Sequence, residues 1–160
     1  MAVPVVLLVM IRDSLIPALR QRYPGVAFTF FDSPQPFARV ASGDGEIGDL
    51  EIYDDGDEAT VALTQVTHGH FNPYKRMPER DRDSWVTEAV IEFLDALFDD
   101  RVLFYRMPGR RGGGWQIHHE KIDRSQPVPG TEHYECFVWS GSVAVTAKCR
   151  AASCVDHDPC

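Results

Sequence analysis

Between Trp85 and Phe98 the apolar residues come in adjacent pairs, Trp85/Val86, Ala89/Val90, Phe93/Leu94 and Leu97/Phe98, and the pairs recur every four positions. A strand would split each pair between its two faces. A helix at about 3.6 residues per turn stacks them into one stripe and turns Glu88, Glu92 and Asp95 the other way. Ser84 is the expected N-cap, because its hydroxyl can accept a hydrogen bond from an unpaired N–H of the first turn. Such a helix has to lay its apolar face on another element, and a sheet is the usual one.

Strand signals supply that sheet. Val26 to Phe31 is a β-branched and aromatic run closed by Asp32-Ser33-Pro34-Gln35-Pro36. Phe37 to Ala41 reads as a second strand, and Ser42-Gly43-Asp44-Gly45 turns the chain. Ile47 to Tyr53 then alternates, with Ile47, Asp49, Glu51 and Tyr53 on one face and Leu50 and Ile52 on the other. Asp54-Asp55-Gly56-Asp57 predicts a hairpin turn, since Asp-Gly tolerates the positive φ that tight turns require, and Thr60 to Val66 is the returning strand. Val102 to Arg106 and Trp115 to His119 read as a further pair joined by Pro108 to Gly114. Tyr134 to Trp139 and Ser142 to Lys148 make a last hairpin around Ser140-Gly141.

Near the start, Asp13 or Ser14 is placed to cap a helix through Leu15, Ile16, Leu19 and Tyr23, with Pro17 in its first turn and Pro24-Gly25 ending it. The expected fold is therefore α+β: an antiparallel meander with an N-terminal helix and one long amphipathic helix packed on one face. One such domain is expected over residues 1–148, followed by a Cys-containing tail over 149–160. At 160 residues and 44% hydrophobic, the chain is large and apolar enough to bury a core.

No segment approaches the roughly 20 apolar residues of a membrane span. The apolar opening from Val3 to Ile11 has no Lys or Arg ahead of it and no small-residue cleavage site before Arg12-Asp13. It reads as part of the fold or as an upstream extension, and the cytoplasm is the expected compartment. The cysteines, Cys136, Cys149, Cys154 and Cys160, crowd the last quarter, where free thiols are expected. The gaps between Cys149, Cys154 and Cys160, with His157 among them, are looser than a zinc knuckle.

Charge is the most uneven property of the chain. Its 24 acids against 16 Lys and Arg leave a net charge of −8, which argues against a nucleic-acid partner. Between Val40 and Tyr74 stand Asp44, Glu46, Asp49, Glu51, Asp54, Asp55, Asp57 and Glu58, without one Lys or Arg. Strand geometry would put Asp49 and Glu51 on one face beside the acidic turn, and like charges so held repel until a cation relieves them. The expected contact set for a basic protein partner is Asp49, Glu51, Asp54, Asp55, Asp57 and Glu58, with Tyr53 as its aromatic anchor. An acidic, solubilising hairpin is the simpler alternative.

The histidines suggest a competing chemistry. His68 and His70 share a face if a strand runs through them, and with His118 and Glu120 they could converge on zinc or another divalent metal as a small hydrolase site. No Ser or Cys in a strained Gly-flanked elbow accompanies them as a nucleophile. Gly109-Arg110-Arg111-Gly112-Gly113-Gly114 lacks the Lys-Ser/Thr of a phosphate loop and reads as a mobile hairpin tip.

The run from Gly48 to Glu58, then Thr67-His68-Gly69-His70-Phe71, the amphipathic helix and Leu103-Phe104-Tyr105 resembles a group of small, uncharacterised bacterial proteins over about residues 45–120. Some small acidic proteins of this size are immunity partners encoded beside secreted toxins. The resemblance implies a non-catalytic protein that covers a cationic target, with no cofactor, and it transfers no functional residue.

Overall fold

The computed structural model describes residues 10–33, 35–73 and 77–145. The fold is α+β, with two helices and two antiparallel sheets among the described residues. Its elements are α1 (Ile11–Arg22), β1 (Thr29–Phe30), β2 (Ala38–Val40), β3 (Leu50–Asp54), β4 (Ala59–Leu63), β5 (Thr67–Phe71), α2 (Glu79–Phe98), β6 (Val102–Arg106), β7 (Gly113–Ile117), β8 (Glu135–Val138) and β9 (Gly141–Ser142). The first five strands lie side by side in chain order, as in a meander. The other sheet has the order β7-β6-β8-β9, with Phe104 of the central β6 opposite both Trp115 and Phe137.

The chain gathers into two compact units. One is drawn from the stretch up to Val40, Glu51–Val61 and Gly69–Ile91, the other from Ala41–Leu50, Ala62–His68 and the stretch from Glu92 onward. In the first, α1 buries Ile11, Leu15 and Leu19 on one face, at about 1.5–3 kcal/mol for each large side chain removed from water. The Tyr23 hydroxyl donates to the Ile91 carbonyl of α2 (3.0 Å), and the Ser14 and Thr87 hydroxyls meet at 2.8 Å. In the second, Leu103, Ile122, Cys136, Val138 and Val143 form a core flanked by Tyr105, Val128 and Tyr134. In the same unit, Phe93 and Phe98 at the end of α2 make edge contacts with Trp115 and Trp139.

Several boundaries differ from expectation for identifiable reasons. Helix α1 begins at Ile11, so Asp13 and Ser14 lie inside it. The Asp13 carboxylate accepts the Met10 N–H (3.2 Å), and the Ser14 hydroxyl turns back to the Ile11 carbonyl (2.9 Å). Helix α2 begins six positions before Trp85, which puts Ser84 in its interior, where the hydroxyl meets Glu88 at 3.4 Å. The added turns, Glu79 to Asp83, are all charged and carry no apolar stripe to announce them.

Val26 to Phe31 yields only the two-residue β1. The expected strand from Thr60 to Val66 stops at Leu63, where Thr64 and Gln65 donate backbone N–H groups to Asp49 and Ile47, and β5 starts afresh at Thr67. Gly48, at φ 77°, lies under this crossing, and a Cβ there would press on the Thr64 hydroxyl and the Gln65 backbone. Ile47 and Asp49 consequently precede β3 and do not belong to it. In the second sheet, β7 begins at Gly113 and Gly114, where a side chain would have no room: a Cβ at Gly113 would meet the Tyr105 carbonyl and one at Gly114 the Tyr105 ring. Residues 1–9 and the cysteines of the tail, Cys149, Cys154 and Cys160, lie outside the described residues.

Candidate functional site

The acidic segment folds as the β3–β4 hairpin. Asp55 N–H donates to the Glu58 carbonyl (3.0 Å), and Gly56 takes φ 86°, so the turn uses the conformational freedom that glycine has there. Asp54 is buried. One of its oxygens accepts the Gly56 N–H (3.0 Å) and the other the Arg12 N–H (3.0 Å) in the first turn of α1, where helix geometry favours a negative charge.

Glu51 is also buried, bound by the Arg39 guanidinium and by the Tyr53 hydroxyl. Burial, followed by the hydrogen bond and charge of Glu51, pushes the Tyr53 phenol up to about 12.

The remaining acids are engaged to different degrees. Asp57 is exposed and meets Arg82 at 2.8 Å. Asp55, also exposed, accepts from Gln35 (3.2 Å) and from the Thr60 hydroxyl (2.6 Å). Glu58 holds His70 Nδ1 at 2.8 Å and accepts from Asn72 at 2.6 Å. Asp49 accepts the Ser42 N–H (3.2 Å). Glu46 pairs with Arg106, whose pKa is raised above its ordinary value, chiefly by its hydrogen bond to Glu135.

Among the described residues, Glu51, Asp57 and Glu46 thus have arginine partners lying 12, 25 and 60 positions away in sequence. Charge that is unbalanced along the chain is partly balanced in space. Glu51 and Asp54, expected in a contact surface, are buried, and within the expected contact set the exposed carboxylates are those of Asp55 and Asp57; Glu46, outside that set, is exposed as well.

His68 and His70 do share a side of β5, exposed on either side of the buried Gly69. His70 is held by Glu58 and lies 3.1 Å from the Thr60 hydroxyl. His118 follows β7 and donates its backbone N–H to the Arg101 carbonyl (2.7 Å), while its ring Nε2 is buried without a hydrogen bond. Glu120 is exposed. Among the described residues, no three His, Cys, Asp or Glu side chains stand together in a way that could hold a metal.

One constellation was not visible in the sequence. After α2, Arg101 N–H returns to the Ala96 carbonyl and Asp100 N–H to Leu97, which is the Schellman arrangement. Its left-handed position is usually glycine, yet here it is Asp100, at φ 54° and 5% exposed. The carboxylate accounts for the choice: it accepts the Ser140 N–H (2.9 Å) and hydroxyl (2.7 Å), with Lys121 Nζ at 3.6 Å. Asp100 thus ties the β8–β9 turn to the end of α2. Beside it, Arg124 donates to the Ser140 carbonyl (2.7 Å), and Asp123 accepts from the hydroxyl and N–H of Ser125, which lower its pKa.

No protein-family model, curated protein or solved structure matches the chain.

Proposed function

We propose that this chain is a non-catalytic binding protein that offers its β3–β4 turn to a basic protein partner, as an immunity-type protein would. The observation that carries this reading is an exposed pair of carboxylates, Asp55 and Asp57, on a turn braced from below by Asp54 on the α1 N-terminus and by the Arg39–Glu51 pair. A braced turn loses little conformational freedom on docking, and exposed carboxylates steer a cationic surface into encounter. Glu58, its side chain 26% exposed, and the half-buried Tyr53 flank the turn on the same hairpin.

The test is capture from a lysate of the native host with the immobilised chain at low and high salt. A basic protein should be retained, released by salt, and lost from the Asp55→Lys/Asp57→Lys variant. A retained set that is the same for both proteins rejects the reading.

A further inference from the structure

The surface around Asp100 carries a second inference, independent of the acidic turn. Two hollows of about 710 and 540 Å³ lie on either side of Arg124, which lines both together with Ser140. Arg124 is exposed and, among the described residues, the only hydrogen bond of its side chain is to the Ser140 carbonyl, so most of its guanidinium N–H groups face solvent. Gly141, at φ 138°, makes this seat possible, because a Cβ there would press on Arg124 Nη1 and come within 3.5 Å of Asp44 Oδ2.

The charges of the lining exclude simple ionic ligands. An anion drawn to Lys121 and Arg124 would meet Asp44 and Asp123, and a cation drawn to those acids would meet Lys121 and Arg124. Buried Asp100 is already answered by Ser140 and Lys121. The remaining lining offers planar donors and acceptors: the Arg124 guanidinium in both hollows, the Asp123 carboxylate in the larger, and in the smaller the Asp44 carboxylate and Ser142, which can donate or accept. Hydroxyl groups on adjacent carbons satisfy such a surface, since each donates and accepts. Trp139, in the wall of the smaller hollow, supplies an apolar surface for C–H groups.

We propose that this cleft binds a neutral polyhydroxylated ligand of the saccharide class, with Arg124 and Asp44 as the orienting pair. The strained, buried Asp100 helps keep the β8–β9 turn, and with it Ser140, in place, together with Arg124 on the Ser140 carbonyl and Phe98 against Trp139.

The full chain can be titrated with methyl glucoside, methyl mannoside, methyl galactoside and N-acetylglucosamine. Tryptophan fluorescence and saturation-transfer NMR provide the readouts, and inorganic phosphate serves as the ionic probe. At least one sugar should give a saturable response in the millimolar range. Arg124→Ala and Asp44→Asn should each weaken it about tenfold or more with the thermal midpoint retained, and Trp139→Phe should abolish the fluorescence change. The assignment is overturned if no sugar saturates, if Arg124→Ala responds like the parent chain, or if phosphate binds more tightly than every sugar.

Discussion

A single aspartate in the left-handed region shows how a local cost is met by tertiary contacts. Leaving glycine out of the C′ position of α2 costs about 1–2 kcal/mol of backbone strain, and the hydrogen bonds that Ser140 gives to a buried carboxylate more than offset it. Asp100→Ala keeps the strain and loses those bonds, whereas Asp100→Gly loses only the bonds. In urea unfolding, both should be less stable than the parent, with alanine the lower by about 1 kcal/mol; an alanine variant as stable as the glycine one would contradict this. Gly48 and Gly56 separate strain from space. Both have positive φ, but a Cβ at Gly56 meets open solvent while one at Gly48 meets Thr64 and Gln65. Gly48→Ala should therefore lower the urea midpoint clearly more than Gly56→Ala. None of this is visible in the sequence around Asp100, where Asp99-Asp100-Arg101 reads as an ordinary polar helix end.

Among the elements, the β2–β3 pair is held by an ion pair whose acid is buried and whose base is partly exposed. Arg39→Ala should cost about 1–2 kcal/mol, below the figure for a fully buried pair because Arg39 remains in partial contact with water. Arg39→Met with Glu51→Leu should recover most of it, as measured by unfolding at constant pH. The Tyr53 phenol beside them adds a pH dependence. Its pKa of about 12 lies above the ordinary 10.0, so the folded chain holds that proton more firmly than the unfolded one. The associated stability is complete below about pH 10 and is lost as the pH rises toward 12, a decline that Tyr53→Phe should remove.

The stripe of α2 and the run of β6 could be read in advance, whereas the β-branched and aromatic run from Val26 to Phe31 holds only the two-residue β1. The end of α2 at Phe98 and the whole of β6 are where periodicity puts them. The charged first turns of α2 carry no such signal, and Ser84 looked like a cap because nothing apolar preceded it. The division of Thr60–Phe71 into β4 and β5 depends on the Gly48 crossing, which local alternation cannot reveal.

For the molecule as a whole, the relevant quantity is where charge lies in space. Arg39, Arg82 and Arg106 reach the acidic segment from outside it, so the surplus counted along the chain is partly balanced in space, and within the expected contact set of six acids Asp55 and Asp57 are the exposed ones. The same distinction guides the choice of variants. Neutralising an exposed acid should change association, and neutralising a buried strut should change stability. The described helices include none long and apolar enough to cross a membrane.

The most direct measurement is the association rate of the captured basic partner with the parent chain, with Asp55→Asn/Asp57→Asn and with Glu51→Gln, across a range of ionic strength. The account predicts that the turn variant associates more slowly and loses most of its salt dependence, while folded Glu51→Gln associates like the parent. A turn variant that associates as fast as the parent, with the same dependence on salt, would contradict it.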